Sequence, residues 1–151
     1  MSNVYLYNQF MEPQPKKILV VEDDVFLSEI YVDTLTKEGY NIDRAIDGEQ
    51  ATQKIKQGGY DLILLDIIMP KMDGISVMEN LKQDPSFKLT CPLVFLTNLD
   101  NEEQMKKALS LGNGYLIKSL MTPGDLVTEV KQYLSMQFAP LTQTPPTTQQ
   151  N

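Results

Sequence analysis

The sequence predicts an α/β protein, a doubly wound five-stranded parallel sheet with helices on both faces. Three observations carry that reading: five short apolar, β-rich runs, a segment of helical period after each, and polar residues gathered where the runs end. With 151 residues, 42% hydrophobic and 22% charged, the chain suits one globular domain plus tails.

The first run, Lys17 to Val21, leads into Glu22-Asp23-Asp24, and Asp24 is a good helix N-cap. The helix it opens sets Leu27, Ile30, Tyr31 and Leu35 on one inward stripe and stops at Gly39. After the second run, Tyr40 to Ala45, Asp47 caps a helix that carries Ala51 and Ile55 inward and ends at Gly58-Gly59. The third run, Leu62 to Leu65, ends in Asp66, and the helix after Gly74 buries Ile75, Met78 and Leu81. The fourth run, Leu93 to Leu96, ends in Thr97, and its helix starts near Asn101 with Met105, Ala108 and Leu109 inward. The fifth run, Tyr115 to Ile117, ends in Lys118. Thr122-Pro123-Gly124-Asp125 then starts the last helix, whose inward stripe is Leu126, Val130 and Leu134.

Around this frame, residues 1–15 close on Pro13-Gln14-Pro15 and read as a flexible arm, 16–138 as the folded domain, and 139–151 as a disordered tail rich in Pro, Thr and Gln. A net charge of -7 repels nucleic-acid phosphates and anionic membranes, and no basic patch offsets it. Neither a secretory leader nor an apolar run of roughly 20 residues is present, so a cytoplasmic protein is expected. The single cysteine, Cys91, has no internal disulfide partner and reads as a buried structural thiol. With no histidine, the chain by itself cannot build a Ser-His-Asp triad, a His-ligated metal site or a phosphohistidine carrier.

Ligands of doubly wound sheets bind beyond the carboxyl ends of the strands, where the strand order reverses. Glu22, Asp23, Asp66, Thr97 and Lys118 would share that edge. Taken singly, Asp23 and Asp24 could be helix caps, Asp66 a turn starter, and Thr97 and Lys118 ordinary strand-end residues. Taken together, three carboxylates without a counter-ion repel one another and call for a hard divalent cation, with Mg²⁺ the natural guest. Such a site leaves room for a phosphoryl group. Lys118 can neutralise its oxygens, the Thr97 hydroxyl can donate to one, and Asp66 remains as nucleophile.

Four segments bear a close resemblance to response-regulator receiver domains, in particular single-domain chemotaxis-regulator-like ones: I-L-V-V-E-D-D (Ile18 to Asp24), D-I-I-M-P-K-M-D-G (Asp66 to Gly74), F-L-T (Phe95 to Thr97) and G-Y-L-I-K (Gly114 to Lys118). The resemblance implies a flavodoxin-like (βα)5 fold and phosphorylation of Asp66. It makes Glu22 and Asp23 the acidic pair, with Asp23 nearer the Mg²⁺, and the backbone carbonyl of Ile68 a further ligand. Thr97 and Tyr115 become the switch pair. In the loop after Asp66, Pro70 stiffens, Gly74 turns and Asp73 caps. The implied phosphoryl donor is a sensor histidine kinase or phosphotransfer protein. Output is expected through the face of the fourth helix, fifth strand and fifth helix, to a downstream protein target or a second copy in a homodimer. No output domain follows the last helix, so a stand-alone regulator is expected.

Two positions depart from the family pattern. Ser119 replaces the usual proline after the lysine, so a rebuilt loop is expected there, and Asn98 places an amide where a small residue is usual. Ile68 and Leu99, both branched and apolar, would flank the approach of water and slow loss of the phosphoryl group. A haloacid-dehalogenase-type phosphatase would need an aspartate two residues past its nucleophile, where this chain has Ile68. A degenerate receiver acting as an unphosphorylated binding module is the other alternative, against which the complete set of Glu22, Asp23, Asp66, Thr97 and Lys118 argues.

Overall fold

Apolar runs that alternate with helices place a parallel sheet between two helical layers, and the computed structural model has that architecture. It describes residues 13–98 and 101–139. Most of the expected arm and tail, and Leu99, lie outside those residues. In chain order the elements are β1 (Lys17–Val21), α1 (Val25–Lys37), β2 (Asn41–Ala45), α2 (Gly48–Gln57), β3 (Leu62–Asp66), α3 (Gly74–Lys82), β4 (Leu93–Thr97), α4 (Glu102–Leu111), β5 (Gly114–Ile117) and α5 (Pro123–Ser135). A 3-10 turn, Lys118–Leu120, separates β5 from α5. All strand pairs are parallel, in the order β2-β1-β3-β4-β5.

Successive strand residues point to opposite faces, so a strand covered on both sides must be apolar throughout. Leu19, Val21, Ile63, Leu65, Leu93 and Phe95 form one core with Ala51, Ile55, Ile75, Met78, Leu81 and Ala108 from α2, α3 and α4. Ile18, Val20, Leu62, Leu64, Val94 and Leu96 form the other with Tyr31 and Leu35 of α1 and Leu126 and Val130 of α5. Cys91 is buried at the edge of the first core, as expected of a structural thiol. The expected N-caps hold: Asp24, Asp47, Asp73 and Asn101 each accept from backbone N–H groups of the first helical turn, and Thr122 with Asp125 forms a capping box.

Several expectations need correction. Tyr40 stands before β2, because its N–H closes α1 by donating to the Leu35 carbonyl at 3.3 Å. Ile30 and Leu109 are 47% and 53% exposed. The stripe that α1 buries is Ser28, Tyr31 and Leu35, and α4 buries Ala108 alone. One residue turns a helix by about 100°, so Ile30 and Leu109, next to Tyr31 and Ala108, are carried off the contact line. Met105 and Leu134 are half-buried.

Candidate functional site

Since β1 has β2 on one side and β3 on the other, strand order reverses between β1 and β3 and a crevice opens beyond their carboxyl ends. Glu22 and Asp23 follow β1, and Asp66 ends β3. Across the register Asp66 pairs with Leu96 and Thr97 with Ile117, so Thr97 and Lys118 emerge at the same edge.

The structure brings together Glu22, Asp23, Asp66 and Lys118. One oxygen from each of the three carboxylates lies within 4.8 Å of the others. The Lys118 ammonium donates to Glu22 Oε2 and Asp66 Oδ2, both at 3.0 Å. Glu22 and Asp66 are each 1% exposed, whereas Asp23 is half-buried. The Ile68 N–H donates to Asp66 Oδ1 at 3.2 Å and the Asp24 N–H to Glu22 Oε1 at 3.1 Å. Asp24 itself is turned to its own helix, accepting from Leu27 N–H at 3.0 Å.

Burial first, then the charge of Glu22, pushes the Asp66 carboxyl up to about 7 against the pull of Lys118. Burial alone would lower the Lys118 ammonium, but its hydrogen bonds to Glu22 and Asp66 outweigh that and hold it above its ordinary value. Three carboxylates facing one ammonium leave a surplus of negative charge in a largely dehydrated crevice. A donor set made only of oxygen suits Mg²⁺, so Glu22, Asp23 and Asp66 fit that ion.

Thr97 is 1% exposed at the end of β4. Tyr115 pairs with Phe95 two residues earlier, so Thr97 and Tyr115 share the sheet face that α4 covers. Tyr115 is half-buried against the core there. Asn98 is exposed. Ile68, 55% exposed, presents an apolar side chain two residues after Asp66. After β5 the chain takes a 3-10 turn through Ser119, with no cis peptide among the described residues, and Lys118 still reaches the carboxylates.

Sequence reasoning missed three features. The left-handed turn in the loop after Asp66 belongs to Lys71, at φ 70°, and not to Gly74. Gly74 is needed for closeness: a Cβ there would run into the Asp66 carbonyl oxygen, while its N–H donates to the Ile67 carbonyl at 2.8 Å. Tyr31, buried in the core that α1 covers, has its hydroxyl raised by burial and then by the charges of Glu22, Asp66 and Asp24. The hydrophobic pattern that placed Tyr31 inward carried no sign of that proximity.

Comparison with known proteins agrees with this geometry. Residues 18–131 match the family described as response regulator receiver domain. The chemotaxis protein CheY of Treponema pallidum (strain Nichols) is 41% identical over 110 residues, covering 70% of this chain and 74% of that protein. The alkaline phosphatase synthesis transcriptional regulatory protein PhoP of Bacillus subtilis (strain 168) is 36% identical over 79% of this chain but only 48% of its own length. The chain thus spans about half of that transcriptional regulator. Among solved structures, a two-component response regulator from Clostridium difficile superposes with a TM-score of 0.69 at 32% identity, covering 79% of this chain and 95% of that one. Chemotaxis protein CheY4 of Vibrio cholerae has a TM-score of 0.70 at 24% identity over 79% of this chain and 98% of that one, a likeness of fold.

Proposed function

This chain belongs to the response regulator receiver domain family, and from that premise we propose that it is a Mg²⁺-dependent phosphorylation switch. Asp66 accepts a phosphoryl group from the phosphohistidine of a sensor kinase or phosphotransfer protein. The observation that carries this reading is Asp66 itself: buried at a strand end, beside two further carboxylates, with Lys118 3.0 Å from one of its oxygens.

In the transfer an Asp66 oxygen attacks phosphorus. The O–P bond forms as the donor's N–P bond breaks, and the imidazole leaves with the bonding pair and takes a proton from water. Glu22, Asp23, Asp66 and the Ile68 carbonyl would hold Mg²⁺, which when bound supplies positive charge to the phosphoryl oxygens and favours the ionised acceptor. The Ile68 N–H, already on Asp66 Oδ1, orients the carboxylate. Lys118, now shared between Glu22 and Asp66, turns to a phosphoryl oxygen, because the Asp66 charge is replaced by the phosphoryl dianion, which outcompetes Glu22 alone. Thr97 donates its hydroxyl to another oxygen, and that movement frees space for Tyr115 to turn inward. The phosphoryl group binds this rearranged state better and so shifts the population of the α4-β5-α5 face, which a downstream protein or a second copy reads. The chain is a switch in this scheme and not a turnover enzyme.

With acetyl phosphate and Mg²⁺, intact mass spectrometry of the full chain should show one added phosphoryl group, absent in Asp66→Asn and after chelation. Retention of the modification in Asp66→Asn would sink the assignment of the acceptor.

A further inference from the structure

We propose that Gly48, the first residue of α2, is a positioning residue for the loop that follows Asp66. It lets α2 dock so closely that the helix sets where the Ile68 backbone stands. This rests on the reading of Asp66 as the phosphoryl acceptor.

Nothing in its own conformation requires glycine at 48. The residue is helical and is not among the described residues with positive φ, and alanine is the better helix former. What requires it is Met72. A Cβ on Gly48 would stand 2.7 Å from the Met72 carbonyl oxygen and 2.8 Å from Met72 Cβ, atoms that cannot swing aside as a side-chain tip can. A methyl group therefore has to displace α2 or the loop.

The loop is the softer of the two. Residue 48 is held from several sides: Asp47 accepts from Gln50 N–H at 2.8 Å, the Thr52 hydroxyl donates to the Gly48 carbonyl at 2.7 Å, and Ala51 and Ile55 are buried in the core. The loop has Ile68, Pro70 and Lys71 exposed, and Lys71 sits in the left-handed region that side chains disfavour. Its far end is blocked, because Gly74 abuts the Asp66 carbonyl. Met72 donates its N–H back to the Pro70 carbonyl at 2.8 Å. Pressure on Met72 thus runs through Pro70 toward Ile68, whose N–H orients Asp66 and whose carbonyl is the proposed metal ligand. Outer-shell groups that orient ligands commonly change metal affinity by about 10- to 100-fold.

The test uses the full chain with Mg²⁺ titration calorimetry, the rate of labelling by acetyl phosphate at saturating Mg²⁺, and thermal unfolding without Mg²⁺. Gly48→Ala should raise the Mg²⁺ Kd and lower the labelling rate, each at least about fivefold. Asp47→Ala, which breaks the cap of the same helix without pressing on Met72, should lower the unfolding temperature and leave Kd within about twofold. Should Gly48→Ala not fold, Met72→Gly removes the side chain that rests against Gly48, frees the loop from α2 on that side and should weaken Mg²⁺ at least about threefold. The inference is overturned if Gly48→Ala, or Met72→Gly in its place, keeps Kd and rate within about twofold of the parent. Affinity falling in step with stability in both the Gly48 and Asp47 variants would also overturn it, as a merely structural effect. A parent chain that neither binds Mg²⁺ nor takes up phosphate would instead remove the acceptor reading.

Discussion

At the scale of the residue, the site is a balance of buried charge. The Asp66 carboxyl stands near 7, above its unfolded value, so without a divalent cation the fold binds more protons than the unfolded chain between about pH 4 and about pH 7. Stability then falls as pH rises through that window. Replacing the charge by a neutral isostere should reverse the loss. In chelator, Asp66→Asn is expected to be more stable than the parent by roughly 1–2 kcal/mol near pH 8, with the difference vanishing toward pH 4, as denaturant unfolding would measure. A parent at least as stable as the variant at high pH would contradict the charge balance. The exposed Ile68 offers water no hydrogen bond beside Asp66, the proposed acceptor. Ile68→Asn should therefore speed loss of the phosphoryl group by about tenfold, a barrier change of roughly 1.4 kcal/mol, seen as decay after donor removal.

At the scale of the element, the strands deliver the site's groups, and the proposed output passes through the helices. Thr97 and Tyr115 lie on the face of β4 and β5 that α4 covers, and α4 buries only Ala108 of its ten residues. A helix with one fully buried residue, and Met105 and Leu111 only partly covered, costs less to shift than one docked along a full stripe. With a beryllofluoride mimic, hydrogen exchange should change in α4, β5 and the 3-10 turn after it, while β1 and the α1 turns around Leu35, buried to 0% exposure, stay protected. Changes confined to the loop after Asp66 would show that the face is not coupled to the site. The loop itself is set by two close approaches, Gly74 on Asp66 and Gly48 on Met72, while Lys71 bears the left-handed turn at a cost of about 1 kcal/mol.

For the whole molecule, a net charge of -7 with three carboxylates converging at one sheet edge leads to the prediction that a divalent cation stabilises the fold. An ion that binds only the folded state at about a hundredfold excess over its Kd adds about 2.7 kcal/mol. Thermal unfolding with and without Mg²⁺ should show that gain. Asp23→Asn, losing an anionic ligand, should need at least about tenfold more Mg²⁺, roughly 1.4 kcal/mol. Asp24→Asn should match the parent, because Asp24 is committed to capping α1 and asparagine caps as well. Equal losses in the two variants would mean that Asp24 also faces the ion.

The sequence by itself determined the order of strands and helices, the caps at Asp24, Asp47 and Thr122, and the strand-end positions of Glu22, Asp66, Thr97 and Lys118. Such features are local: periodicity, cap chemistry and the alternation of a strand act over a few residues. Which helix residues lie on the contact line was only partly legible, as Ile30 and Leu109 show, since that depends on how closely each helix docks. Tertiary structure alone decided that Lys118 bridges Glu22 and Asp66, that Tyr31 feels the charges of Glu22 and Asp66, and that Gly48 and Gly74 are required by neighbours rather than by their own backbone angles. The Lys118 bridge and the Gly48–Met72 approach join segments far apart in the chain, and the Gly74 approach to Asp66 closes a loop; these distances are set by the packing of the layers, which no local pattern encodes.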